Sequence, residues 1–194
     1  MKLQQQDAQL AQRFAWGGIL TVLTVASTLA VACGTPFAAL ATLAALFLPR
    51  RDAFVLIAVN WLANQAIGFG LLHYPHNWDC YRGGIDLGVA ALLSTTAALL
   101  AQRALRNAAT TVRAIGSFAA AFVSYEGILF LISPAGSRAD FAAPVVLYIL
   151  YVNAVALVAL LLLQTAATAM GFISSMAAFR YGTAVPRGDA DDRP

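Results

Sequence analysis

Long apolar runs broken by short polar or proline-bearing stretches make up most of this chain. Six runs stand out, at about 14–33, 36–49, 53–72, 85–105, 113–133 and 142–170. A helix that crosses a bilayer needs roughly 17–25 mostly apolar residues, and five of the runs reach that length. The second is shorter and is bounded by "CGTP" and "PRRD". Taken alone it fits a tilted partial span or a re-entrant segment as well as a crossing. The pattern predicts an all-α integral membrane protein with one membrane domain over residues 1–180. A charged, proline-containing tail over 181–194 is expected to be disordered.

Charge placement decides how the short run is read. With a cytoplasmic N-terminus and six crossings, the inside receives Lys2, Arg13, Arg50, Arg51, Arg103, Arg106, Arg113, Arg180, Arg187 and Arg193. The outside receives only Arg82 and Arg138. Cytoplasmic loops carry the excess of Lys and Arg, and leaving out the short run would put Arg50 and Arg51 outside. The expectation is a six-transmembrane-helix bundle in a bacterial inner membrane, with the N and C termini cytoplasmic. "AVAC" at 30–33 resembles a cleavage site, but a long mixed-charge start precedes the run, so the first helix is expected to be retained.

Composition agrees. The 194 residues are 60% hydrophobic and 11% charged, with mean hydropathy +0.73, against roughly 25% charged in soluble domains. The net charge of +3 sits between apolar runs, so it speaks for orientation in lipid rather than for nucleic-acid binding. Small residues four apart, such as Gly84 and Gly88, suit close helix packing.

Polar residues at depth are the candidate chemistry. Glu126 is the only carboxylate well inside a run, and an acidic group there costs roughly 2.5–3.5 kcal/mol unless it meets a cavity or partner. By helical rise, Asn60, Asn64, Tyr148, Tyr151 and Asn153 reach the same outer-to-middle depth. They suggest a polar pocket opening outward, with Trp61 as a stacking wall and Gln65 beside it. Interhelical polar glue is the competing reading.

The outer stretch 73–84, "HYPHNWDCYRGG", is expected to be a loop and a lid over that pocket. His73 and His76, with Asp79 and Cys80, offer transition-metal ligands, although without a known zinc spacing. Cys33 and Cys80 are the only cysteines, and both fall on the outer side. A disulfide between them is expected. No G-x-S-x-G elbow, H-E-x-x-H helix or phosphate-binding glycine loop occurs, which counts against an enzyme.

The layout of six helices, inside termini, a short second helix and an outward pocket resembles the substrate-binding S components of energy-coupling factor transporters. In that family, A-x-x-x-A on the first helix docks the partner, and Ala11/Ala15 or Ala26/Ala30 have this spacing here. The resemblance implies capture of a vitamin or metal ion, and docking on a transmembrane coupling protein with two ATPases. The expected function is a small-solute-binding membrane transport protein. The alternative is a non-enzymatic accessory subunit of a larger membrane complex.

Overall fold

The computed structural model describes residues 17–22, 35–133 and 141–170. Most of the first expected span, Cys33, the candidate docking alanines and the tail 181–194 lie outside the described residues. Within them, residues 17–22 are helical, and five further helices follow: α1 (Phe37–Phe47), α2 (Arg50–Gly70), α3 (Trp78–Ala104), α4 (Thr110–Ile132) and α5 (Ala143–Ala169).

Prolines set several of these boundaries. A residue before proline is pushed out of the α region by the ring. Leu48, preceding Pro49, is extended at φ −104° and ψ 151° and ends α1. Ser133, preceding Pro134, is extended at φ −66° and ψ 142° and ends α4. Pro36 stands immediately before α1, where its missing N–H removes no helical hydrogen bond.

Four helices, α2 to α5, are long and apolar enough to cross a membrane. The run at 36–49 instead forms an 11-residue helix. At 1.5 Å per residue it is about 16 Å long, roughly half of a ~30 Å hydrocarbon core. It is not one of those four helices, and the six crossings expected from the sequence are not confirmed.

This short helix is the axis of the fold. Every residue from Phe37 to Leu46 is buried, and α1 touches each of α2, α3, α4 and α5. A helix that is apolar on all sides belongs inside a bundle. Its few polar needs are met locally: Thr42 Oγ1 donates to Ala38 O at 2.7 Å. From the α5 side, Asn153 Oδ1 accepts the Ala39 N–H at 3.2 Å.

The hydrogen bonds also fix the directions of the helices. The two-residue link 48–49 joins α1 to the start of α2, while Thr35 Oγ1 donates to Asn64 Oδ1 at 3.0 Å at the opposite end. The pair is therefore an antiparallel hairpin. α3 and α4, the most extensively packed pair, are antiparallel too. Gln102 Nε2 donates to Ser117 Oγ at 2.7 Å, Ser94 Oγ to Ala121 O at 2.9 Å and Arg82 Nη2 to Ile132 O at 3.0 Å.

Close approach is possible because α3 presents small residues. Gly84, Gly88, Ala91, Thr95, Ala98 and Gln102 are all buried and recur every three or four residues, the spacing of one helix face. In lipid, association depends on such packing rather than on hydrophobic exclusion. α5 uses a narrower seam of Asn153, Leu157, Leu160, Gln164 and Ala167. Its other faces, including Tyr148 at 58% and Tyr151 at 66% exposure, point away from the bundle.

One end of the bundle thus carries the start of α1, the 71–77 loop, the start of α3 and the end of α4. The other end carries the 48–49 and 105–109 links. Of the six arginines among the described residues, Arg50, Arg51, Arg103, Arg106 and Arg113 belong to this second end, and only Arg82 to the first.

Candidate functional site

The short axis leaves room above itself. Thr35, at the entrance to α1, meets Asn64, and α2 continues six residues beyond that point to Gly70. That is about 9 Å of extra helix. The space so created is a cavity of about 240 Å³. Thr35, Phe37 and Tyr125 line it, together with Asn64, Gln65 and Phe69 of α2. Cys80, Gly83, Gly84 and Leu87 of α3 and Tyr74 of the loop complete the lining.

Glycines shape its walls. A Cβ on Gly84 would stand 3.1 Å from the Gln65 amide carbon, closer still to its oxygen, and a Cβ on Gly88 would lie 2.6 Å from the Trp61 ring. Side chains of α2 therefore seat directly on the α3 backbone. Trp61 Nε1 donates to Gly84 O at 2.8 Å, which satisfies its only polar atom. Trp61 belongs to this seam and is absent from the lining, so the expected stacking wall is supplied by other rings.

The covering loop is shorter than the sequence suggests. α3 begins at Trp78, so Asp79, Cys80, Tyr81 and Arg82 are helical and the loop runs over 71–77 rather than 73–84. Asn77 caps the helix by accepting the Cys80 N–H at 2.9 Å, and Asp79 lies in the first turn, where the helix dipole favours a carboxylate. His73 adopts φ 54°, turning the chain back so that the Tyr74 N–H donates to Gly68 O at 3.0 Å. The Tyr74 ring lies where a Cβ on Gly68 would be, 2.7 Å from Cε2. Phe69 then meets Tyr74 edge-on at 6.2 Å and packs against His76 and Tyr81 at 5.6 and 5.0 Å.

Both histidines are engaged in this cover. His73 Nδ1–H donates to Leu71 O at 2.8 Å, and His76 Nδ1 shares a 2.9 Å hydrogen bond with the Tyr81 hydroxyl. Among the described residues no group of three His, Cys, Asp or Glu side chains could hold a metal ion. Cys80 is a free thiol bordering the cavity. The expected Cys33–Cys80 disulfide is not supported, and Cys33 lies outside the described residues.

The other anticipated residues scatter. Asn60 is buried in contact with the 17–22 segment, donating from Nδ2 to Thr21 Oγ1 at 3.2 Å and to Leu56 O at 2.8 Å. Asn153 joins α5 to α1 and donates back to Ile149 O at 3.0 Å. Neither lines the cavity. Tyr148 and Tyr151 are exposed on the outside of the bundle. Glu126 follows Tyr125 in the chain but is not part of the lining, and its buried Oε1 has no hydrogen-bond partner among the described residues.

Of the seven anticipated binding residues the cavity gathers Asn64 alone, together with Gln65, which was placed beside the expected pocket, and it adds Thr35, Phe37, Phe69, Tyr74 and Tyr125. The missed signal was the short run itself, because a buried half-length helix must leave space at its free end. Compared with known proteins, the chain matches no family model, no curated protein and no solved structure.

Proposed function

We propose that this chain is a small-solute-binding membrane transport protein, serving as the substrate-capture subunit of an uptake system in a bacterial inner membrane. The observation that carries the reading is the cavity above α1, walled by polar and aromatic side chains and covered by the 71–77 loop. Its volume lies just below the roughly 300–1,000 Å³ usual for ligand pockets, which suits a small solute. The arginines at the opposite end support an orientation in which that end is cytoplasmic and the cavity faces outward.

Capture needs a binding cavity and a cover, not a catalytic group, and the proposal is of a non-enzymatic protein. The chain lacks a phosphate-binding loop, so active uptake through it would draw on a partner, such as a transmembrane coupling protein with ATPases. A complete six-span bundle with both termini cytoplasmic belongs to the same proposal.

Native mass spectrometry of protein released from its own membrane in mild detergent tests the reading. A retained small molecule, lost on Gly84→Leu, is the expected result. An empty protein that co-purifies stoichiometrically with another membrane subunit would replace capture with the accessory role.

A further inference from the structure

We infer that the cavity above α1 selects an uncharged, planar solute bearing adjacent hydrogen-bond donor and acceptor groups, of the amide, lactam or nucleobase class, and rejects ions. The inference rests on the capture reading and narrows its substrate. No side chain lining the cavity is charged. The closest basic group in the sequence of α3, Arg82, is paired with Asp86 at 3.7 Å and bonded to the end of α4. Glu126 stays outside the lining. An ion entering such a site would give up hydration with no opposite charge to replace it.

The polar groups present fit a neutral partner. Asn64 and Gln65 are consecutive and both border the cavity. The Asn64 carbonyl is engaged by Thr35, which leaves its NH₂ as a donor. The Gln65 carboxamide makes no hydrogen bond to any described residue, so it offers both a donor and an acceptor. An amide or lactam edge presents the complementary pair. Four rings line the cavity beside Cys80, Gly83, Gly84 and Leu87: Phe37 and Tyr125, whose centroids are 6.1 Å apart, and Phe69 with Tyr74 of the cover. Four rings in one lining favour a flat body over a branched one.

Matched probes separate charge from shape. Titration calorimetry on the detergent-purified chain would compare nicotinamide with nicotinate, thymine with orotate, and cobalt(II) alone. The expected result is that at least one neutral probe binds tenfold or more tightly than its charged counterpart, with no cobalt binding. Gln65→Ala and Asn64→Ala, each checked for an unchanged melting temperature, should weaken that neutral probe at least tenfold. Equal or tighter binding of nicotinate, orotate or cobalt would overturn the selectivity while leaving capture intact. Failure of both neutral probes at millimolar concentration would also overturn it. Only an empty cavity in the native mass spectrum would remove the capture reading itself.

Discussion

Gly88→Ala isolates the contact that holds α2 against α3. The new Cβ would lie 2.6 Å from Trp61 Cε2, 2.7 Å from Nε1 and 3.1 Å from Cδ2, well inside contact distance. A terminal methyl could move aside, but an indole tethered by its N–H to Gly84 O at 2.8 Å cannot do so freely. Overpacking of this kind costs about 1–3 kcal/mol, and a strained or lost hydrogen bond adds about 1 kcal/mol. Replacing glycine within a helix returns roughly 1 kcal/mol. The net is a destabilisation of about 1–3 kcal/mol. Gly83→Ala supplies the control, because nothing lies within 4 Å of its added Cβ. It should be neutral or stabilising by up to about 1 kcal/mol. The assay is reversible unfolding in mixed micelles, followed by helical circular dichroism. Trp61→Ala should absorb most of the Gly88→Ala penalty, giving a coupling of about 1 kcal/mol or more in the double-mutant cycle. Equal effects at Gly83 and Gly88, or strict additivity with Trp61→Ala, would refute the packing described.

Asn153→Leu leaves the Ala39 N–H without its side-chain acceptor and should cost about 1–3 kcal/mol in the same assay. Glu126→Leu removes a carboxyl with a partnerless buried oxygen; stability should hold or rise by up to about 2 kcal/mol, and a loss beyond 1 kcal/mol would reveal a partner. Ser94→Ala removes a buried hydroxyl donating to Ala121 O and should lower stability by about 0.6–2 kcal/mol, read as a shifted unfolding midpoint; an unchanged midpoint would show that the bond contributes nothing. Gly68→Val should displace the Tyr74 ring that covers the cavity, raising the rate of Cys80 alkylation without changing helix content.

The long helices were legible because hydropathy and spanning length are the same signal in lipid. The runs at 53–72, 113–133 and 142–170 lie within a few residues of α2, α4 and α5. The start of α3 was hidden, since "WDCYRGGID" is polar enough to read as loop although Asn77 caps it as a helix. Depth along each helix could be counted, but azimuth could not. Tyr148 and Tyr151 share the level of the candidate pocket yet lie off the Asn153–Leu157–Leu160–Gln164 seam. That seam is readable in retrospect from its alternating three- and four-residue steps. Glu126 was weighted for its charge, whereas the cavity collects uncharged amides and rings. Thr35 and Phe37 were passed over because the short run was read as a crossing, which leaves no space above its end.

The central claim is an outward-facing capture cavity, and Cys80 reports on it. In a Cys33→Ser background, a membrane-impermeant maleimide applied to intact cells should label Cys80. A cysteine placed at Ala109, at the arginine-bearing end, should label only after permeabilisation when Cys80 is replaced by serine. Solute released from the purified protein should slow the Cys80 reaction when added back. Labelling of Cys80 only after permeabilisation, or a rate indifferent to that solute, would contradict the account.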